Sequence, residues 1–214
     1  MKTNTLCRRI NHQNAQKQAQ IADAVHDKRF FGSRLFFAPE FRGNFIKSPL
    51  QFYLGLLQDL RLEVTPIQRY ALNPLRQMGQ LLFYPPNVRG WVGGRNWINS
   101  ATLSARRTLV ETLFAPIEEA GLNADEQIDL VAARSNGITA FTVADESLVP
   151  FEPLDAAAAA RQLVGDFLAV PTSPEFHRNL REFLANGYDN EPQRLRRMRR
   201  ATVTVLQSPE YQLC

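Results

Sequence analysis

The sequence predicts a mainly α fold: an irregular multi-helix domain of about seven to nine helices with one ordered loop rich in proline, glycine and tryptophan. Three observations carry this prediction. Apolar residues recur at helical spacing along most of the 214-residue chain. Serine, threonine, asparagine or aspartate repeatedly stands just before those stripes, often followed by proline, where it can satisfy orphan backbone N–H groups. The long stretch without such periodicity, Phe83 to Asn99, is crowded instead with prolines, glycines and aromatic residues.

Taken in order, residues 14–31 carry Ile21, Ala22, Val25 and Phe30 at helical spacing, with Gly32 as the stop. Lys47-Ser48-Pro49 is a start signal, and Phe52, Tyr53, Leu56, Leu57 and Leu60 behind it form one apolar, core-facing stripe. Thr65-Pro66 repeats that signal ahead of Ile67, Tyr70, Ala71, Leu75, Met78 and Leu82. Pro74 interrupts this run and implies a kink, or a new helix capped by Asn73. A helix from about Ser100 to Pro116, capped by Asn99 or Ser100, should bury Leu103, Val110, Leu113 and Ile117 or their neighbours. Asn123-Ala-Asp-Glu126 has capping-box form and precedes Ile128, Leu130 and Val131. Ile138 to Val143 reads as a short strand or merely extended chain. Asp155 should cap an alanine-rich helix to about Val170, with two more helices over 174–186 and 191–207. Ala38-Pro-Glu-Phe41, Ser173-Pro-Glu-Phe176 and Ser208-Pro-Glu-Tyr211 are read as one recurrent way of starting a helix, not as a repeated docking motif. The expected organisation is a single helical domain over residues 1–214 with a joint near 135–154.

Charge is distributed in blocks. Residues 1–107 hold 16 Lys/Arg against 5 Asp/Glu, residues 108–191 hold 4 against 15, and residues 192–214 hold 5 against 1. The blocks therefore carry +11, −11 and +4, a split that predicts salt-sensitive packing or self-association through basic and acidic surfaces. The run Arg194-Leu-Arg-Arg-Met-Arg-Arg200 shares its helix with Leu195, Met198, Thr202, Val205 and Leu206 on the opposite face, so a docked or solvated face is expected and not nucleic-acid binding. No apolar run approaches the ~20 residues of a membrane span. The first thirty residues contain no signal-peptide core, so the sequence as it stands reads as cytoplasmic. Cys7 and Cys214, near opposite ends, exclude a disulfide-dense scaffold.

The irregular stretch runs Gly79-Gln-Leu-Leu-Phe-Tyr-Pro-Pro-Asn-Val-Arg-Gly-Trp-Val-Gly-Gly-Arg-Asn-Trp-Ile-Asn99. It resembles the signature of the bacterial domain of unknown function 1800 family. Ile46-Lys-Ser-Pro49 is similar to that family's Lys-Ser-Pro-x-Glu-Phe element, with Gln51 where the family has Glu, and Ser208-Pro-Glu-Tyr-Gln212 is similar to its terminal Ser-Pro-Glu-Phe-Gln. The resemblance is to the C-terminal part of a longer protein. It implies a many-helix bacterial protein, exported in its longer form, and it brings no reaction and no catalytic residues.

From Phe83 to Arg107 there is no Asp, Glu, His, Cys or Lys, so the stretch lacks the groups that exchange protons near neutral pH. His12, His26 and His177 are scattered, without metal-ligand spacing. No catalytic residue, metal or other cofactor is expected. What the stretch offers is Asn87, Arg89, Trp91, Arg95, Trp97 and Asn99, with Arg106 and Arg107 behind them: guanidinium forks and indoles suited to an anionic or sugar ligand. The same residues also suit a rigid buried loop locking two helices together, the commoner use of large aromatics beside glycines. The leading functional reading is a non-enzymatic recognition or assembly module working through this loop. The other is a fragment of an envelope enzyme acting on glycan or another polymer, with its catalytic residues outside the chain.

Overall fold

A computed structural model describes residues 29, 32–33, 43–144, 147–148, 155–186 and 190–214. The chain divides into two compact units, Met1–Arg42 and Gly43–Cys214, and the elements below all belong to the second. The helix expected over 14–31, Arg29 apart, the Ala38-Pro-Glu-Phe41 start signal and parts of the joint (145–146 and 149–154) lie outside the described residues.

The second unit is multi-helical. Its helices are α1 (Pro49–Asp59), α2 (Gln68–Gln77), α3 (Ser100–Phe114), α4 (Ala124–Ser135), α5 (Ala156–Phe167), α6 (Pro174–Ala185) and α7 (Glu191–Leu206), with 3-10 turns at Gly94–Trp97, Glu119–Gly121 and Glu210–Gln212. Side-chain caps start most of them. Ser48 and Gln51 form a reciprocal capping box on α1, Asn99 and Thr102 do so on α3, and Asn123 and Glu126 on α4. Asp155, Ser173 and Asn190 each accept an N3 backbone N–H at the starts of α5, α6 and α7. Among the described residues no strand forms. Ile138–Val143 bends at Phe141 and Thr142 and makes only isolated bonds to other segments, among them Glu63 N–H to the Ala140 carbonyl and Val143 N–H to the Leu113 carbonyl.

Two expected starts fail. Thr65 does not cap α2, because its Oγ1 accepts from Ile67 N–H two residues on, and the helix begins at Gln68 behind an uncapped Ile67. Nor does a new helix start at Asn73: α2 runs through Pro74 and ends at Gln77, so packing outweighs the ~3 kcal/mol that an internal proline costs.

Three apolar clusters hold the unit together. The largest joins Phe52, Tyr53, Leu56 and Leu57 of α1 to Leu75 and Met78, to Leu109, Val110, Leu113 and Phe114 of α3, and to Leu206 and Tyr211. Each such burial contributes ~1.5–3 kcal/mol. The second lies among α5, α6 and α7, and the third gathers Ile67, Leu122, Leu130 and Phe141. On α4 only Leu130 is buried; Ile128 and Val131, placed with it by sequence, face solvent. On α7 the expected division holds in part, since Leu195, Arg194, Arg197 and Arg199 are all half-buried. Met198, Thr202, Val205 and Leu206 are buried, while Arg197 donates to the Phe183 carbonyl at 2.7 Å and Arg199 to the carbonyls of Phe114 and Val143. Among the described residues no helix is long and apolar enough to cross a membrane.

Candidate functional site

The stretch between α2 and α3 takes its shape from its own residues. Pro85 and Pro86 exclude helix. Asn87 Oδ1 accepts from Arg89 N–H at 2.8 Å, and Gly90, at φ +78°, donates to the Asn87 carbonyl at 3.0 Å, closing a tight turn. Gly94, at φ +66°, opens the 3-10 turn that drops Trp97 inward until it is 8 % exposed. The Trp97 carbonyl accepts from Thr102 Oγ1 at 3.1 Å, and Asn99 Oδ1 accepts from Thr102 N–H at 2.9 Å. The far end of the loop is thus riveted to the first turn of α3.

The remainder faces solvent. Phe83 is 97 % exposed and stands at φ +60°, a left-handed conformation that costs a bulky residue ~1–2 kcal/mol. Tyr84, Val88 and Val92 are exposed beside it. Arg89 and Arg95 are exposed too, with no ion pair among the described residues. The six residues singled out from sequence therefore divide. Trp97 and Asn99 anchor the loop, Asn87 uses its side-chain oxygen within its own turn, Trp91 is half-buried, and Arg89 and Arg95 present free guanidinium groups. Arg106, counted among the ligand-directed arginines, is completely buried, whereas Arg107 is exposed.

Beneath the loop, segments far apart in sequence meet. Arg106 Nη1 donates to Gln212 Oε1 at 3.1 Å and Nη2 to the Lys47 carbonyl at 2.8 Å, with the guanidinium 4.8 Å from the Phe52 ring centroid. Gln80 Oε1 accepts from Leu50 N–H at 3.0 Å, satisfying an orphan donor in the first turn of α1. Tyr211 OH donates to Asp59 Oδ2 at 2.7 Å, and Lys47 Nζ lies 3.7 Å from the Tyr211 ring centroid. Lys47-Ser-Pro, Gly-Gln at the loop start, Asn99 to Arg106, and the terminal Ser208-Pro-Glu-Tyr-Gln212 are therefore parts of one joint. The match of a family model to residues 3–213 takes in all of them. This chain belongs to the family of proteins of unknown function DUF1800. No curated protein and no solved structure matches it.

Within this DUF1800 protein burial shifts the ionisable groups of the joint. Burial and the hydrogen bond to Asp59 push the Tyr211 phenol far above its ordinary value, which keeps it protonated. Burial lowers Arg106 to about 10, leaving it cationic at neutral pH. Burial also lowers Lys47, against the opposing pull of Asp59. His177 is bonded to Thr172 at 2.7 Å, and His12 and His26 lie outside the described residues. Among the described residues no group of His, Cys, Asp and Glu could hold a metal ion. Sequence reasoning missed Lys47 and Gln212 as partners of Arg106, and the pairing of Tyr211 with Asp59. For Lys47, Tyr211 and Gln212, membership of the DUF1800 motifs was the available signal, but no spacing shows that the motifs touch, and Asp59 lies outside them.

Proposed function

We propose that this DUF1800 protein is a non-enzymatic assembly module whose Phe83–Arg95 loop docks on the outer face of α4 in a second copy. The observation that supports it is the loop surface itself: Phe83, Tyr84, Val88 and Val92 exposed together, interleaved with Arg89 and Arg95 and held by a buried Trp97. Exposed apolar side chains in such density mark an interaction surface. With Asn87 and Asn99 committed to their own turns, a small sugar or anion would find only the two guanidinium groups and would leave the apolar area unused. A protein surface uses both.

The face that fits is α4. Ile128 and Val131 are exposed on it, and Asp125 and Asp129 flank them without an ion pair among the described residues. Glu119 and Glu126 are already held by Arg134 and Arg69. Loop and face match in apolar character and oppose in charge, and each is exposed in its own chain. The contact is heterologous, loop to face, so it propagates into rings or open chains.

Light scattering tests this. The protein should associate at low salt and dissociate at high salt. Arg89→Glu/Arg95→Glu and Asp125→Lys/Asp129→Lys should each be monomeric, and an equimolar mixture of the two should associate again, since every contact is then complementary. A parent protein that stays monomeric at low salt, or variants that do not rescue each other, overturns the reading. A parent that remains monomeric but binds anionic or neutral glycans through Arg89 and Arg95 replaces it with small-ligand recognition.

A further inference from the structure

A second feature owes nothing to the loop. Between the largest apolar cluster and the third lies a pocket of about 220 Å³, space for roughly seven waters' worth of volume. Tyr53 of α1, Leu113 of α3, Tyr70 and Phe141 are among the residues that line it, as are Thr65, Thr112, Glu63 and Glu118. Among the described residues no lysine, arginine or histidine lines this pocket. Neither glutamate has an ion pair among the described residues. Arg69, stacked 5.3 Å from the Tyr70 ring centroid, is turned elsewhere, to Glu126 at 3.0 Å and the Gly121 carbonyl at 2.8 Å.

Tyr53 supplies an independent sign. It is 4 % exposed, yet among the described residues its hydroxyl has no hydrogen-bond partner. The hydroxyl itself keeps some solvent access, so it is open to a partner from outside the chain. Here the ring forms part of the pocket wall, so a bound molecule can provide that partner.

We propose that this pocket binds a small organic cation, an ammonium group carried on an apolar or aromatic body. The body replaces water against Leu113 and Phe141, the rings of Tyr53 and Tyr70 face the cation, and the ammonium donates to the Tyr53 hydroxyl oxygen and the carboxylates of Glu63 and Glu118. An anion of the same shape meets only negative charge, and a neutral isostere keeps the apolar contacts alone. Selectivity by charge at constant shape is therefore the signature.

Calorimetric titration of the full chain with phenethylamine, phenethyl alcohol and hydrocinnamate tests it. Phenethylamine should bind about tenfold or more tighter than the alcohol, a difference near 1.4 kcal/mol, and hydrocinnamate should bind weakest. Glu63→Gln/Glu118→Gln, both at exposed positions, should bring amine and alcohol within about twofold while the melting temperature holds. Tyr53→Phe should weaken the amine several-fold. Equal binding of amine and alcohol to the parent, no amine binding at millimolar concentration, or undiminished amine binding by the double variant overturns the proposal. Should the double variant unfold, the single exposed changes Glu63→Gln and Glu118→Gln read the same preference, and its persistence in both overturns the proposal equally.

Discussion

Arg106 shows how one side chain can hold distant segments together. Its two terminal nitrogens bond to Gln212 and to the Lys47 carbonyl, 106 and 59 residues away. Arg106→Met removes the donors and leaves two acceptors of the joint unpaired; a loss of about 2–4 kcal/mol in urea unfolding is expected. Tyr211 makes a prediction in pH. Its folded pKa is raised above the unfolded value of 10.0, so the unfolded chain releases this proton first. The stabilisation is therefore complete below pH 10.0 and declines as pH rises further. Thermal melts across that alkaline range should fall more steeply for the parent than for Tyr211→Phe. That variant should itself be less stable at neutral pH by about 1–2 kcal/mol, through loss of the bond to Asp59. Phe83 is a different kind of residue: exposed, left-handed and unsupported by packing. Phe83→Gly relieves its backbone, so stability should hold or rise slightly while the proposed self-association weakens.

The elements owe their positions to caps as much as to stripes. In α1 the amide of Gln51 accepts from Ser48 N–H at 2.9 Å, doing what Glu does at the same place in a capping box. Gln51→Glu should preserve the box and add a carboxylate at the positive end of the helix dipole. A gain of about 0.3–1 kcal/mol in chemical denaturation is expected. The loop anchor separates two further costs. Asn99→Ala removes only the α3 cap, about 1 kcal/mol, whereas Trp97→Ala empties a buried site and should cost about 3–5 kcal/mol. If Trp97→Ala instead leaves the melting temperature unchanged, Trp97 is not the structural anchor described above. Both halves of the dual reading of this stretch thus have an address: its Trp97 end is packed, and its Phe83–Val92 part is open.

At the scale of the molecule, the described residues show few ion pairs between the basic first block and the acidic one. Among the described residues only Arg69–Glu126 joins the basic block to the acidic one, and Arg134–Glu119 lies within the acidic one. Arg197 and Arg199 bond to backbone carbonyls. The salt-dependent contribution predicted from the block charges should therefore appear in association between copies more than in unfolding. Scattering at low and high salt should differ clearly, with melting temperatures nearly unchanged.

Local chemistry made much of this fold legible in advance. Ser48, Asn99, Asn123, Asp155 and Ser173 each act within one turn of chain, and an amphipathic stripe such as Phe52–Leu60 needs only helical periodicity to be seen. Thr65 misled because a competing local bond decides where α2 begins, and at Pro74 only the structure decides that the helix continues. That Leu130 is buried while Ile128 and Val131 are exposed was not legible, because an apolar residue on a helix does not show that another element covers it. The joint of Lys47, Asp59, Arg106, Tyr211 and Gln212 and the pocket beneath Tyr53 belong to tertiary structure alone. Their residues come from separate segments, and only the packing of helices around a common core decides which side chains share a low-dielectric space and which polar groups are left facing a cavity.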